Sequence, residues 1–177
     1  AALGIRELPG FPFSNEQGAG GYLALGLLAI WTTRRHLRGV ARTIAGRPGG
    51  ADDSHEPLSY RAALMIFITC FALLVWMGRA LGGTVWLMIV FFGIFFIYAL
   101  AIARMRAELG PPAHDLHYGG PGVLLHNALG TRGLSRGDLA TFSLFYWFNR
   151  AYRAHFSAHS MEGFKIAQIM RITTRSI

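Results

Sequence analysis

Three uncharged, apolar blocks are spaced along the first part of the chain. Residues 18–33 form the first block, residues 62–78 the second, and the third extends from Ala80 to Ala103. A helix at the surface of a soluble protein has one polar face, whereas these blocks are apolar all round. The pattern therefore favours transmembrane helices over the alternative, three buried core helices of a soluble protein.

The lengths of the blocks indicate how each would cross a membrane. A helix of residues 18–33 covers about 24 Å, which is shorter than a hydrocarbon core of ~30 Å, whereas the third block is longer than that core. A glycine pair shortly after Arg79 predicts a tight turn at residues 79–83, between spans at 62–78 and 84–103. We therefore predict an all-α membrane protein with three transmembrane helices.

The basic residues are concentrated in two parts of the chain. There are 17 Lys and Arg residues against 9 Asp and Glu, yet the first 17 residues contain only Arg6 and the predicted turn only Arg79. Under the positive-inside rule, the N-terminal segment is then outside the cell and the C-terminus is in the cytoplasm. The predicted cytoplasmic segments are residues 34–61, 104–136 and 137–177.

Arginines beside the apolar blocks are predicted to lie at the membrane surface and to bind anionic lipid headgroups. This position explains the basic charge better than nucleic-acid binding does. Aromatic residues toward the ends of the blocks, such as Trp31, Trp76 and Tyr98, agree with an interfacial belt. The predicted interfacial residues are Arg34, Arg35, Arg38, Arg61, Arg104, Arg106, Arg150 and Arg153.

The chain after the third block is predicted to be a long irregular loop followed by a last helix. Pro111 discourages continuation of the third helix and moves Gly110 toward an extended conformation. The stretch "SRGD", Ser135–Asp138, offers an N-cap residue with an acid three positions later. The apolar part of this last helix, Leu139–Phe148, is too short to span. It is predicted to lie in the membrane interface, with packing against a partner protein as the alternative.

Two histidine clusters are the candidate metal sites. His155, His159 and Glu162 follow each other at i, i+4 and i+7, so one continuous helix would present all three on one face. Such a set matches the ligand types of zinc or iron, although a polar helix face at the membrane surface has the same pattern. A second cluster in the predicted loop consists of His114, Asp115 and His117.

The predicted spans themselves contain no charged residue and no histidine. Ionisable residues inside a membrane mark ion and proton paths, and histidine is a common axial ligand of haem, so the spans predict neither a proton wire nor a bound cofactor. No catalytic motif accompanies them, and the lone Cys70 lies in an apolar block. Gly20 and Ala24 offer small-residue spacing for close helix contact.

Four stretches of the chain resemble a known family. They are "PFSNEQGAGGYLALGLLAIWTTRRHLR", "DDSHEPLSYRAAL", "AIARMRAELGPPAHDLHYGGP" and "ALGTRGLSRGDLATFSLFYWFNRAYRAH…MEGFKIAQ". The resemblance is to large bacterial polytopic membrane proteins that carry a domain of unknown function and are distantly similar to oligopeptide transporters. It implies a longer protein with more spans, of which this chain is an internal portion. It implies no catalytic or binding residues.

These observations predict a non-catalytic, multi-pass subunit of the bacterial inner membrane. We expect it to pack against other membrane subunits, as in a respiratory or photosynthetic complex, and to contact anionic lipids. The alternative is a segment of a polytopic, oligopeptide-transporter-like protein. A metal-dependent enzyme that uses the His155 cluster is a third, less favoured hypothesis.

Overall fold

The computed structural model describes residues 11–54, 56–110, 119–149, 152 and 155–171, and these residues form helices without any β-strand. The prediction of an all-α protein is therefore confirmed for the described residues. A short 3₁₀ turn, Thr131–Gly133, separates the fourth and fifth helices. The helices are α1 (Ser14–Ile44), α2 (Tyr60–Ala80), α3 (Val85–Leu109), α4 (Pro121–Leu129), α5 (Arg136–Asn149) and α6 (Phe156–Met170).

Two of these helices, α2 and α3, are long and apolar enough to cross a membrane. Helix α2 contains the predicted span 62–78, and α3 contains all of the predicted span 84–103 except Thr84, its N-cap residue. Helix α1 contains the first predicted block, residues 18–33, but this helix is not apolar enough to be counted with α2 and α3. Glycines and threonines lower the hydropathy of that block, and the helix continues into an arginine-rich segment.

Helix α1 runs parallel to α3, and α2 runs antiparallel to it. Gly26 of α1 lies directly against Ile97 of α3, and farther along both helices Nη1 of Arg104 donates to Oγ1 of Thr32 at 2.7 Å. The sequence suggested a close helix contact at Gly20, but the contact is at Gly26. A Cβ on Gly20 would meet no atom within 4 Å.

The α2–α3 hairpin is closed by small residues at its turn. Gly78 lies against the side chain of Met88, and the N–H of Gly83 donates to the carbonyl oxygen of Gly78 at 2.9 Å. Farther down the pair, the rings of Phe67 and Phe96 are 5.2 Å apart. The turn was predicted at residues 79–83 and lies at residues 81–84, between the end of α2 and the start of α3.

Three local predictions need correction. Residues 34–44 are helical and extend α1, because nothing before Ile44 interrupts the helical hydrogen bonds. Helix α3 ends at Gly110 in the left-handed conformation, with φ 60° and ψ 28°, and not in an extended one. The connecting segment 104–136 is not irregular throughout, because it contains the last turns of α3 and all of α4.

The C-terminal half of the chain follows α3 from one end to the other. Asp138 bonds to Thr84 at the start of α3, the rings of Phe145 and Phe92 are 5.6 Å apart, and Oγ of Ser157 donates to the carbonyl oxygen of Ala99 at 3.1 Å. Helix α6 then reaches the other end of α3, where its side chains contact Arg106.

Segment 104–136 therefore does not stay at one end of α3. It leaves at the Arg104 end and finishes at the Thr84 end, where Gly137 of α5 packs against Gly82 of the turn. Arg132 and Arg136 consequently lie at the end opposite to Arg104, which corrects their predicted grouping with the cytoplasmic residues. Aromatic rings of α3 and α5, such as the stacked pair Phe91 and Phe142 at 5.4 Å, form the core between these elements.

Candidate functional site

The helix predicted after Ser135 is not continuous, because Tyr152 and His155 are not helical, and α5 and α6 lie on either side of this interruption. Tyr152, inside the interruption, has its ring 5.9 Å from the ring of Phe95. The interruption thus lies opposite the segment of α3 that is roughly 15–21 Å from its start, at 1.5 Å per residue. This is the apolar part of α3, where a break in a neighbouring helix needs other partners for its backbone groups.

Three buried polar atoms at the interruption have no hydrogen-bond partner among the described residues: Oη of Tyr98, Nδ2 of Asn149 and Oη of Tyr152. The residues are 0%, 1% and 1% exposed, and the two tyrosine rings are 5.9 Å apart in an edge-to-face arrangement. Leaving such a group unpaired costs roughly 1–3 kcal/mol. Buried polar groups of this kind are normally paired with protein groups, ordered water or a ligand.

Sequence reasoning missed these residues. It assigned Tyr98 to an interfacial aromatic belt, but this tyrosine of α3 is fully buried against α1 and the interruption. Asn149 and Tyr152 stand in an aromatic-rich stretch that resembles one continuous helix, so no local signal marks them. The interruption becomes apparent only when α5 and α6 are placed along α3.

The absence of a side chain on Gly120 lets the start of α4 pack directly against Asn149. If Gly120 carried a Cβ, that atom would lie 2.6 Å from Oδ1 of Asn149, so any larger residue would separate the two. Gly120 is the N-cap residue of α4 and has no side chain to cap the helix, and Pro121 follows it at the first helical position. The uncapped N-terminus of α4 therefore meets the C-terminus of α5 at the interruption.

An open groove of about 400 Å³ runs between α4 and α5 toward this point. His126 and Ser143 are exposed in the groove, and Asn149 lies at its buried end. The rest of the lining is mainly apolar, with Val123, Leu139 and Phe142 among its residues. The groove is lined by Gly122, Val123, His126, Leu139, Phe142, Ser143, Tyr146 and Asn149.

Asp138 anchors the opposite end of α5. Its carboxylate accepts the N–H of Thr84 at 2.6 Å and Oγ of Ser135 at 2.6 Å, and the N–H of Asp138 donates back to Oγ of Ser135 at 3.1 Å. The predicted cap at "SRGD" is thus confirmed.

A family model described as a family of unknown function (DUF6785) matches residues 1–177. The chain belongs to the DUF6785 family. This membership confirms the resemblance to proteins with a domain of unknown function. Comparisons of the DUF6785 chain with curated proteins and with solved structures gave no match.

The structure gives the three residues of the predicted metal cluster other partners. Nδ1 of His155 accepts the N–H of Ser157 at 3.3 Å and so caps α6. Glu162 accepts Nε of Arg106 at 2.6 Å, and its second oxygen is 3.6 Å from Nδ1 of His159. The hydrogen bond from Arg106 lowers the pKa of Glu162, and His159 acts in the same direction. Among the described residues of the DUF6785 chain, no three His, Cys, Asp or Glu side chains are grouped as metal ligands.

The predicted interfacial arginines fall into different environments. The guanidinium of Arg34 lies 4.5 Å from the ring centre of Trp31, while Arg35 and Arg38 are exposed on the extension of α1. Arg61 is exposed as well, and its Nε donates to the carbonyl oxygen of Ile44 at 3.1 Å.

The remaining arginines of that set differ in exposure. Arg104 is partly exposed and pairs with Glu108 at 2.8 Å. The side chain of Arg106 is only 17% exposed, because it is paired with Glu162, so it is not an open lipid contact. The other residues named from the sequence lie outside the described residues: Arg150, Arg153, His114, Asp115 and His117.

Proposed function

We propose that this chain is the membrane-embedded part of a solute transporter, and that the solute binds at the interruption between α5 and α6. The observation that carries the proposal is the set of buried, unpartnered polar atoms on Tyr98, Asn149 and Tyr152. Secondary transporters bind solutes near the middle of the membrane, at helices that are interrupted there. No catalytic role is proposed.

The proposed membrane arrangement has three spans, α1 to α3, then a return to the Thr84 end of α3 that finishes with α4, and an interrupted crossing formed by α5 and α6. The Arg104 end of α3 is proposed to face the cytoplasm of a bacterial cell. This orientation is supported by the distribution of described basic residues, because those at the Thr84 end are only Arg79, Arg132 and Arg136. At the Arg104 end are Arg34, Arg35, Arg38, Arg42, Arg47, Arg61, Arg104, Arg106, Lys165 and Arg171.

The resemblance to oligopeptide-transporter-like proteins suggests small peptides as the first solutes to test. It also suggests a longer polytopic protein, whose further spans would cover the groove between α4 and α5. Anionic lipids are proposed partners of the exposed arginines on the extension of α1, where Arg35 and Arg38 are accessible.

An uptake measurement tests the proposal. The full-length protein is reconstituted in proteoliposomes, and accumulation of di- and tripeptides is measured by mass spectrometry against protein-free vesicles. We expect uptake by the wild type and its loss in Gly120→Leu, which separates α4 from Asn149. Gly93→Leu is the matched control, because a Cβ at Gly93 meets no atom within 4 Å. Absence of peptide uptake by folded wild-type protein would contradict the proposal.

The second candidate function is the structural subunit of a larger membrane complex. It is favoured by the outer surface of α2, where Met65, Ile66, Ile68 and Leu73 are exposed and apolar and offer a face for packing against other subunits. Mass measurement of the natural protein after gentle detergent purification separates the two functions. A chain near 19.5 kDa with a stable set of partner proteins supports the subunit, whereas one chain several times heavier supports the transporter.

A further inference from the structure

A cavity of about 290 Å³ lies between the end of α3 and α6. The two helices run in the same direction, because Ser157 bonds to Ala99 and, farther along both helices, Glu162 bonds to Arg106. Four of the lining residues follow each other at i, i+3, i+4 and i+7 and so share one face of α6. This face contributes Met161, Phe164, Lys165 and Gln168 to the lining, and α3 contributes Arg106 and Ala107.

The lining changes from apolar to basic along the cavity. Met161 and Phe164 are exposed and lie on the side of the interruption, whereas Lys165 and Gln168 lie toward the C-terminal end of α6. At 1.5 Å per residue, Met161 and Gln168 are roughly 10 Å apart along the helix. In the proposed membrane arrangement the interruption lies within the bilayer and the C-terminal end of α6 lies at the cytoplasmic surface. The apolar end of the cavity is then the deeper one.

The basic end of the cavity carries a positive charge that the described residues do not neutralise. Glu162 also lines the cavity but is paired with Arg106, so these two charges cancel. Lys165 is exposed, and its Nζ donates to Oε1 of Gln168, a neutral acceptor, at 3.3 Å. Within the described part of the chain, no carboxylate forms an ion pair with Lys165. The cavity therefore favours an anionic ligand.

We propose that this cavity binds one anionic phospholipid, with Lys165 and Gln168 at the phosphate and an acyl chain against Met161 and Phe164. A basic surface end above an apolar deep end has the same order as the headgroup and chains of a lipid. Lysine binds phosphate as a point charge, and its stem can lie along apolar surface while the charge stays at headgroup level. The volume of about 290 Å³ is at the lower limit of ligand sites, so only part of the lipid enters the cavity. The inference rests on the membrane arrangement proposed above and not on transport of a solute.

Native mass spectrometry of the full-length protein, delipidated in detergent, tests the inference with matched lipids. Phosphatidylglycerol and phosphatidylcholine of identical acyl chains are titrated, and the dissociation constant of the most tightly bound lipid is measured. We expect phosphatidylglycerol to bind at least about tenfold more tightly, because the choline group would place a positive charge beside Lys165. Glycerophosphoglycerol, the same headgroup without chains, is the third probe. It should bind more weakly than the lipid, since it leaves the apolar end of the cavity uncovered.

Substitutions link the bound lipid to the cavity. Lys165→Gln removes the charge and should weaken phosphatidylglycerol binding about tenfold. Arg47→Gln is the matched control, because Arg47 is an exposed basic residue at the same end of the molecule that does not line the cavity. Ala107→Trp fills the cavity without a change of charge and should also weaken binding. Its control is Ala140→Trp, at an exposed position of α5 outside the cavity, and far-UV circular dichroism verifies that each variant is folded.

The inference is overturned if the two lipids bind equally, or if Lys165→Gln binds phosphatidylglycerol as tightly as Arg47→Gln does. It is also overturned if the free headgroup binds as tightly as the lipid, because a soluble anion would then be the occupant. These results leave the transport proposal standing as long as peptide uptake into proteoliposomes is observed. If uptake is absent but phosphatidylglycerol binds through Lys165, the transport proposal fails and the lipid site remains.

Discussion

The contact between α1 and α3 at Gly26 allows a quantitative prediction for Gly26→Ala. Gly26 is buried against Ile97, and a Cβ at this position would lie 2.6 Å from the carbonyl oxygen and 3.3 Å from the carbonyl carbon of Ile97. Because both atoms belong to the backbone of Ile97, no side-chain rotation can relieve the overlap. The two helices would have to separate locally.

The expected free-energy change combines two opposing effects. Overpacking of a close contact typically costs about 1–3 kcal/mol, while alanine in place of glycine stabilises a helix by about 1 kcal/mol. Gly20→Ala is the matched control, because Gly20 is exposed on the same helix and its Cβ would meet no atom. The control should gain only the stabilisation from the higher helix propensity of alanine. The free energies of unfolding of the two variants should therefore differ by about 1–3 kcal/mol.

Chemical unfolding in detergent micelles, followed by far-UV circular dichroism, measures this difference. We expect a lower free energy of unfolding for Gly26→Ala than for Gly20→Ala. Equal free energies of unfolding for the two variants would refute the close contact between α1 and α3 at Gly26. Greater stability of Gly26→Ala would refute it even more strongly.

Three further predictions concern individual polar groups. Asp138→Asn removes charge-assisted hydrogen bonds to two helix ends and should destabilise the fold by about 3 kcal/mol, which thermal unfolding checks. Glu108 belongs to an exposed ion pair, so the control variant Glu108→Gln should lower the free energy of unfolding by less than about 1 kcal/mol. A similar loss for both would contradict the anchoring role of Asp138. Tyr98→Phe removes a buried, unpartnered hydroxyl, so without ligand its melting temperature should equal or exceed that of the wild type, and a clear decrease would reveal a partner for the hydroxyl. Because Arg106 lowers the pKa of Glu162, the pair should make the wild type more stable than Glu162→Gln above an unfolded-state pKa of about 4.3. This advantage should disappear as the pH falls through the lower folded-state pKa. Melting temperatures of the two proteins between pH 7 and pH 3 that differ by a constant amount would argue against the pair.

Sequence patterns predicted the elements whose signal is local. The span predicted at 62–78 lies within α2, and the span predicted at 84–103 lies within α3 and its N-cap residue, because long apolar runs between arginines have no other stable conformation in a membrane. The cap at Ser135 was also readable, since its partner Asp138 is three residues away. These features depend on neighbouring residues and not on the rest of the fold.

Helix α4 and the interruption after Asn149 were not predictable in this way. Helix α4 is a nine-residue helix between prolines and glycines, and such a segment has too few residues for a periodic signal. It gains its stability from packing, for example of Leu125 in the aromatic core. The aromatic stretch around Asn149 has the composition of one helix, and only its contacts along α3 show that it is divided.

The choice of Gly26 over Gly20 has a similar reason. Both glycines lie in the same apolar block, and spacing alone cannot indicate which face of α1 meets α3. That face is decided by the side chain and backbone of Ile97 on the other helix. The candidate site likewise consists of residues from α3, α4 and α5, so its composition follows from tertiary contacts.

The central claim is that the chain returns to the Thr84 end of α3 with α4 and crosses the membrane again with α5 and α6, so that residues 130–136 lie on the side opposite to the α1–α2 connection. Single cysteines test it directly, in a background in which Cys70 and any further cysteines of the full-length protein are replaced by Ser. Arg132→Cys reports on the first segment and Arg47→Cys on the second, since both arginines are exposed. A membrane-impermeant maleimide is applied to spheroplasts and, separately, to lysed cells. The account predicts labelling of Arg132→Cys in spheroplasts and of Arg47→Cys only after lysis. Labelling of both positions only after lysis would place the two segments on one side and contradict the interrupted crossing.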